Sequence, residues 1–286
     1  MTVIDPSIDC VDFSAQARLV HKWTEESGQH VVVEGLRGSS RAFFLAKLIK
    51  AQKRPVVIFT ADQNRGEALL EDLKYFFRHE KIKINPCFFP AWELLPYEPL
   101  SPLNEISGER LDILNRLRTE EPLVLVVPLE AGLQKVMPRL VLEKLILPVK
   151  RGMSLDREFL EACLSENGFT RSALVESRGE FSVRGDIVDF FQPGGMNPLR
   201  VEFFGDEVES IREFDALSQV SFNELEAVNI LPVRELCLSD AEKKQGIEAL
   251  KDFAEKNACD RLALKELLEK IEHLGVFSGM EYLAPF

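Results

Sequence analysis

Residues 178–215, RGEFSVRGDIVDFFQPGGMNPLRVEFFGDEVESIREFD, carry the recognition chemistry that stands out first. Phe181 and Val183 alternate with Ser182 and Arg184, and Leu199, Val201 and Phe203 alternate with Arg200 and Glu202. A period of two marks strands with one buried face, so Arg184, Arg200 and Glu202 should project together from the polar face of a small sheet. Arginine forks on a rigid platform suit paired hydrogen bonds to carboxylates or phosphates. A solvated face carrying internal ion pairs is the commoner meaning of such a pattern.

A second chemical candidate is the run Gly35-Leu36-Arg37-Gly38-Ser39-Ser40-Arg41-Ala42. It lies between a β-like run at 30–33 and a helical run from Arg41 to Gln52, where a phosphate loop GxxxxGK[ST] would sit. The first glycine is present. Ser40 replaces the second, Arg41 replaces the lysine, and Ala42 replaces the hydroxyl that would hold magnesium. Each change removes a function: close backbone approach, a compact point charge and a metal ligand. Composition alone favours an ordinary glycine-containing βα turn.

The elements that position these candidates follow from periodicity. Helical spacing is expected over Phe13–Ser27, Arg41–Gln52, from Asp62 as N-cap through Phe76, and over Glu105–Arg118. Apolar runs at 31–33, 55–59 and 123–127 read as buried strands, which implies a parallel sheet covered by helices. Ala131–Met137 suits a short helix ended by Pro138. Ser154 is expected to cap a helix that Asn167-Gly168 stops. Gln192-Pro193-Gly194-Gly195 and Gly205-Asp206 supply turns, and Gly185 marks a bulge or bend. Val228–Val233 is a last strand, and helices follow from Asp240 and from Arg261. The fold class is therefore α/β: a P-loop-like parallel-sheet domain with an inserted small α+β antiparallel-sheet domain. The expected divisions are 1–147, 148–230 and 231–286.

The words RGEFSVRGDIVDFF and LRVEFFGDEVESIREFD, with FFPAWELLPYEPLSP upstream, resemble the UvrB-homology module of transcription-repair coupling factor (Mfd). The excinuclease subunit UvrB has a similar RGD-centred sheet. The resemblance covers most of the chain and favours the degenerate nucleotide loop: Gly35, Gly38, Ser40, Arg41 and Ala42 would keep the fold of a nucleotide site without hydrolysis. It implies that the small domain docks UvrA through Arg171, Arg184, Arg200 and Glu202, with Phe191 as an apolar contact. Ser182 stands where UvrB tends to have another arginine. The proline- and aromatic-rich stretch Cys87–Pro102 has only Tyr97 as a tyrosine, so it lacks the tyrosine-rich DNA-clamping hairpin of UvrB.

The resemblance implies no catalytic residue, metal or cofactor in this segment. ATP and magnesium belong to motor domains that lie elsewhere in the family, where an ATP-driven DNA translocase and an RNA polymerase-binding domain follow. Duplex DNA and RNA polymerase would be partners through those parts. The apolar, aromatic ending GVFSGMEYLAPF is expected to run on into such a longer chain. The competing readings are an active UvrB-like P-loop ATPase and a direct DNA-binding module. A net charge of -12 over 286 residues argues against the latter, since proteins that grip phosphate backbones present a basic face. The five cysteines and four histidines form no CxxC pair or ligand cluster, so reduced, mostly buried thiols in a cytoplasmic protein are expected. No apolar run approaches the roughly 20 residues that cross a bilayer, so no membrane partner is expected.

Overall fold

The computed structural model describes residues 3–4, 14–25, 30–51, 55–95, 98, 100–118, 123–238, 240–274 and 277–283. Tyr97 and Cys10 lie outside the described residues. In chain order the first elements are β1 (Val3–Ile4), α1 (Ser14–Glu25), β2 (Val32–Val33), α2 (Ser40–Ala51), β3 (Val56–Thr60), α3 (Gln63–His79), β4 (Cys87–Phe88), α4 (Asn104–Arg116), β5 (Val124–Pro128), α5 (Leu129–Leu133) and α6 (Arg139–Leu145). Then come β6 (Leu147–Lys150), α7 (Arg157–Glu166), β7 (Thr170–Arg171), β8 (Glu180–Arg184), β9 (Ile187–Phe190), β10 (Leu199–Phe204), β11 (Glu207–Phe214), β12 (Ser221–Glu224), β13 (Ala227–Ile230), α8 (Asp240–Lys256) and α9 (Arg261–Leu274). The fold is mixed α/β, with a parallel sheet and an antiparallel sheet. Two compact units divide the chain: Met1–Ala91 with Arg116–Gln134, and Trp92–Asn115 with Lys135–Phe286.

In the first unit β3 and β4 flank β5 in a parallel sheet. β5 is buried throughout, as a central strand of apolar residues should be. Ala42, Ala46 and Ile49 of α2 and Leu70, Leu73 and Phe77 of α3 pack on Val124 and Val126. β3 departs from the expected buried strand. Val56 and Ile58 face those helices, while Val57 and Phe59 are exposed, Phe59 by 64%. That second face is only partly covered: Gly132 of α5 lies so close to the Phe59 ring that an added Cβ would come within 2.8 Å of it. β2 pairs in parallel with β1 in a separate two-stranded sheet. Asp62 does cap α3, accepting from Arg65 N at 2.8 Å.

The second unit is built on a six-stranded sheet in the order β12-β11-β10-β9-β8-β7. Its inner face, with Phe181, Val188, Phe190, Val201 and Ile211, packs against Leu160 and Leu164 of α7. α7 is capped by Asp156 rather than Ser154: Asp156 Oδ1 accepts from Glu158 N and Phe159 N. Ser154 is instead drawn into a strand-like bridge with Glu207. Pro138 does not end a helix but precedes α6, where its fixed φ suits a helix start. β13 returns to pair antiparallel with β6.

Two devices lock this unit internally. Gly108 of α4 lies so near the Pro193-Gly194 backbone that an added Cβ would come within 2.4 Å of it. Farther along, Glu235 Oε1 accepts from Arg110 Nε at 2.6 Å and Trp92 Nε1 at 2.7 Å, all three side chains being buried. Burial pushes the Glu235 carboxyl up and the Arg110 charge opposes it. Among the described cysteines, Cys87, Cys163 and Cys237 are free thiols that are partly buried, and Cys259 is exposed. No helix among the described residues is long and apolar enough to cross a membrane.

The first unit carries a clear pH signature. Glu80 closes α3 and receives Lys47 Nζ at 2.7 Å and Lys50 Nζ at 3.0 Å from α2. Those hydrogen bonds, Lys47 first, lower its pKa from 4.5 to about 2 against the opposing effect of burial. A depressed carboxyl stabilises fully above its unfolded value and loses that contribution as the pH falls through the folded one. Thermal melts at pH 7 and pH 3 should show Glu80→Gln destabilised at pH 7 and losing less Tm than the unmodified chain on acidification. Equal losses would remove Glu80 from the acid response.

Candidate functional site

The polar face of the six-stranded sheet begins with the turn between β8 and β9. Arg184 pairs with Ile187 across Gly185-Asp186, and Gly185 takes a φ of +60°, where a side chain would be strained. Gly185 is therefore a hairpin-turn residue; the register irregularities lie instead at Glu202/Phe203 and Glu213/Phe214. Strand pairing then sets one row across five strands: Ser182, Asp189, Arg200, Arg212 and Glu224 stand side by side.

Asp189, the second residue of that row, is 1% exposed. Its Oδ1 accepts from Arg200 Nε at 2.7 Å, and its Oδ2 from Arg200 Nη2 at 2.9 Å and Arg184 Nη2 at 2.8 Å. One carboxylate thus holds two guanidinium groups, one of them in a bidentate fork. The same contact raises the Arg200 pKa, hydrogen bonding to Asp189 outweighing burial. Arg200 also lies over the Phe214 ring at 4.7 Å and donates through Nη1 to Gln219 O and Ser221 Oγ. Next along the face, Glu202 Oε2 takes Ser210 Oγ at 2.7 Å and Arg212 Nη2 at 3.2 Å.

This face is only partly open. Val175, Phe191 and Phe214 form a second small core on it, and Ser182 Oγ donates to Ala173 O beneath the 172–175 segment. Ser182, expected to point into solvent, is buried. Phe191, expected as an apolar contact for a visitor, is 8% exposed and lies under the Arg178 guanidinium. Arg200 lies on the polar face as expected, but its side chain is only 13% exposed. Arg184 remains open at 48%. Arg171 is 60% exposed but does not share the face of Arg184. It sits on β7 in register with the inward-facing Phe181, and its guanidinium is held by Glu161 of α7. The structure therefore gathers Arg184, Arg200 and Glu202 on one face and places Arg171 on the other side of the sheet edge. Asp189, which organises the arginines, was not among the expected site residues. Its signal was present: an acid at an outward strand position directly across from an arginine.

The loop from Gly35 to Ala42 has a different character. Ser40 Oγ accepts from Arg37 N and donates to Arg37 O, while Ser40 N and Arg41 N donate to Arg37 O and Gly38 O. Arg41 Nε leans to Leu36 O at 3.4 Å. Ala42, in the first turn of α2, is buried in the core. Among the described residues no group of three or more His, Cys, Asp or Glu side chains could hold a metal ion.

Residues 147–236, which contain this sheet, match the family model described as the UvrB interaction domain. The transcription-repair-coupling factor of Myxococcus xanthus is 36% identical over 263 residues, covering 91% of this chain and 22% of its own length. That of Escherichia coli strain K12 is 32% identical over 210 residues, covering 73% of this chain and 18% of its own length. The chain is a homologue of the transcription-repair-coupling factors. It spans about a fifth of the length of the coupling factors it matches. It is also similar to UvrABC system protein B of Legionella pneumophila strain Lens, 29% identical over 271 residues and 41% of that protein's length. Residues 178–215, which hold two of the three words that carry the resemblance, lie within the matched domain, and the third, residues 88–102, lies outside it.

Removing one partner of a buried ion pair strands the other and costs about 3–5 kcal/mol. Asp189→Asn, which leaves Arg200 and Arg184 without their shared charge, should lower unfolding free energy in urea by about that amount. A loss below about 0.5 kcal/mol, the size of an ordinary surface change, would show that the carboxylate does not hold the face together.

Proposed function

We propose that the chain is a UvrB-like module of a transcription-repair-coupling factor whose sheet domain docks UvrA at lesions where RNA polymerase has stalled. The observation that carries this is the half-open Arg184, fixed by buried Asp189 on a rigid sheet inside the region that matches the UvrB interaction domain. Arg184 and Arg171 are the direct contacts in this reading. Arg200 and Glu202 complete the polar face beside Arg184, and Phe191 packs with Val175 and Phe214 on that same face. The proposed divisions are 1–147, 148–230 for docking, and 231–286 as a return to the first part. Contacts of Glu235 with Trp92, Glu281 with Ser101 and Tyr282 with Leu95 join 231–286 to residues 92–101 of the first division, a stretch that lies in the second compact unit. RNA polymerase and duplex DNA would be reached through other parts of the longer proteins.

The module docks and does not hydrolyse ATP. The first-turn amides at Ser40 and Arg41 are turned onto the loop's own carbonyls, and the position of the magnesium-holding hydroxyl is a core alanine. A phosphate cradle needs free backbone N–H groups and a metal ligand at those points. The acidic balance of the chain favours a protein partner over a DNA duplex.

Calorimetric titration of UvrA should give an affinity at least 30-fold weaker for the Arg171→Ala, Arg184→Ala double variant, about 2 kcal/mol. Unchanged affinity with intact folding would refute the docking assignment. In a coupled ATPase assay the purified chain should show no turnover above background. Turnover that disappears in Arg41→Ala would reinstate a working nucleotide site.

A further inference from the structure

We propose that the docking surface is an arc around the β7–β8 edge, with Arg157 as its third guanidinium contact. This rests on the docking reading above and extends it to a residue and a path. Arg184 belongs to the outer face with Asp189, whereas Arg171 lies on the α7 side with Glu161. A flat partner surface cannot touch both, because consecutive faces of a sheet point in opposite directions. A partner that uses both must cross the edge between them, and the residue at that crossing is Arg157.

Arg157 opens α7, and its Nη1 donates to Gly185 O, the carbonyl next to Arg184. Glu161, four residues on, holds Arg171. Residues four apart share one flank of a helix. That flank of α7 therefore runs from the Arg184–Gly185 turn to Arg171, with Arg157 at one end and Glu161 at the other. The three arginines share an arrangement. Each has one edge of its guanidinium held by an acceptor of the chain: Asp189 for Arg184, Gly185 O for Arg157, Glu161 for Arg171. A guanidinium has five N–H donors, so each keeps others for a visitor. Held side chains have already lost rotamer freedom, which lowers the cost of binding. The chemistry that fits is a carboxylate-bearing segment of the partner protein, lying across the edge and taking up the three forks in turn.

The test titrates purified UvrA into the 286-residue chain and its variants at low and moderate salt, with melting curves alongside. Arg157→Ala should bind about 10-fold more weakly and Arg157→Glu weaker still, with a shallower salt dependence than the unmodified chain, as loss of a charge contact requires. Should Arg157→Ala melt early, Arg157→Lys decides. It keeps a positive charge and one N–H for Gly185 O but loses the fork. Weaker binding by Arg157→Lys at unchanged melting supports the arc. If the Arg157 variants bind as the unmodified chain does while Arg184→Ala binds weakly, the arc is overturned and the docking reading stands. If Arg184→Ala and Arg171→Ala also bind unchanged, both are overturned.

Discussion

A carboxylate sealed from water must be matched, and in this chain that requirement falls on Asp189. An unpaired charge there would carry a desolvation cost of several kcal/mol. The sheet meets it by bringing Arg200 beside Asp189 on the neighbouring strand and Arg184 from the β8–β9 turn. The consequence is a division of roles. Arg200 is consumed by the pairing, the Phe214 ring and the 219–221 segment, whereas Arg184 is held at one edge and open at the other. Rigid presentation of one fork is thus a by-product of satisfying a buried charge.

The two units handle polar groups differently. In the first, the charged cluster at Glu80 fastens α2 to the end of α3, and the glycine loop before α2 closes on its own hydrogen bonds. In the second, half-open arginines line both sides of a sheet edge. A loop whose Arg37, Ser40 and Arg41 amides are already occupied offers an incoming phosphate fewer donors. Arginines with unused donors give an acidic surface a great deal. That contrast bears on the proposed docking role, and a chain of net charge -12 still keeps exposed guanidinium groups at Arg171 and Arg184.

Much of the sheet was legible because its residues obey a strict period. Leu199, Val201 and Phe203 are buried as their alternation requires, and the glycine turns fall where the strands stop. What could not be read was anything decided by nonlocal cover. Ser182 obeys the outward period yet is buried, because the 172–175 segment folds over it. Phe191 looks available in the sequence but is enclosed with Val175 and Phe214. Arg171 lies on a two-residue strand, too short for any period to reveal its face. Pro138 punctuates the chain as expected, but a proline marks a helix start as readily as a stop, and local sequence did not choose. Family resemblance supplied the site's partner class, and its arrangement around Asp189 and α7 came only from the fold.

The most direct measurement is hydrogen–deuterium exchange of the chain with and without UvrA. Dedicated docking through this surface requires new protection at β7, at the first turn of α7 and through the β8–β9 hairpin, with the Gly35–Ala42 loop unchanged. Protection confined to other segments, or none at the hairpin under saturating partner, would contradict it.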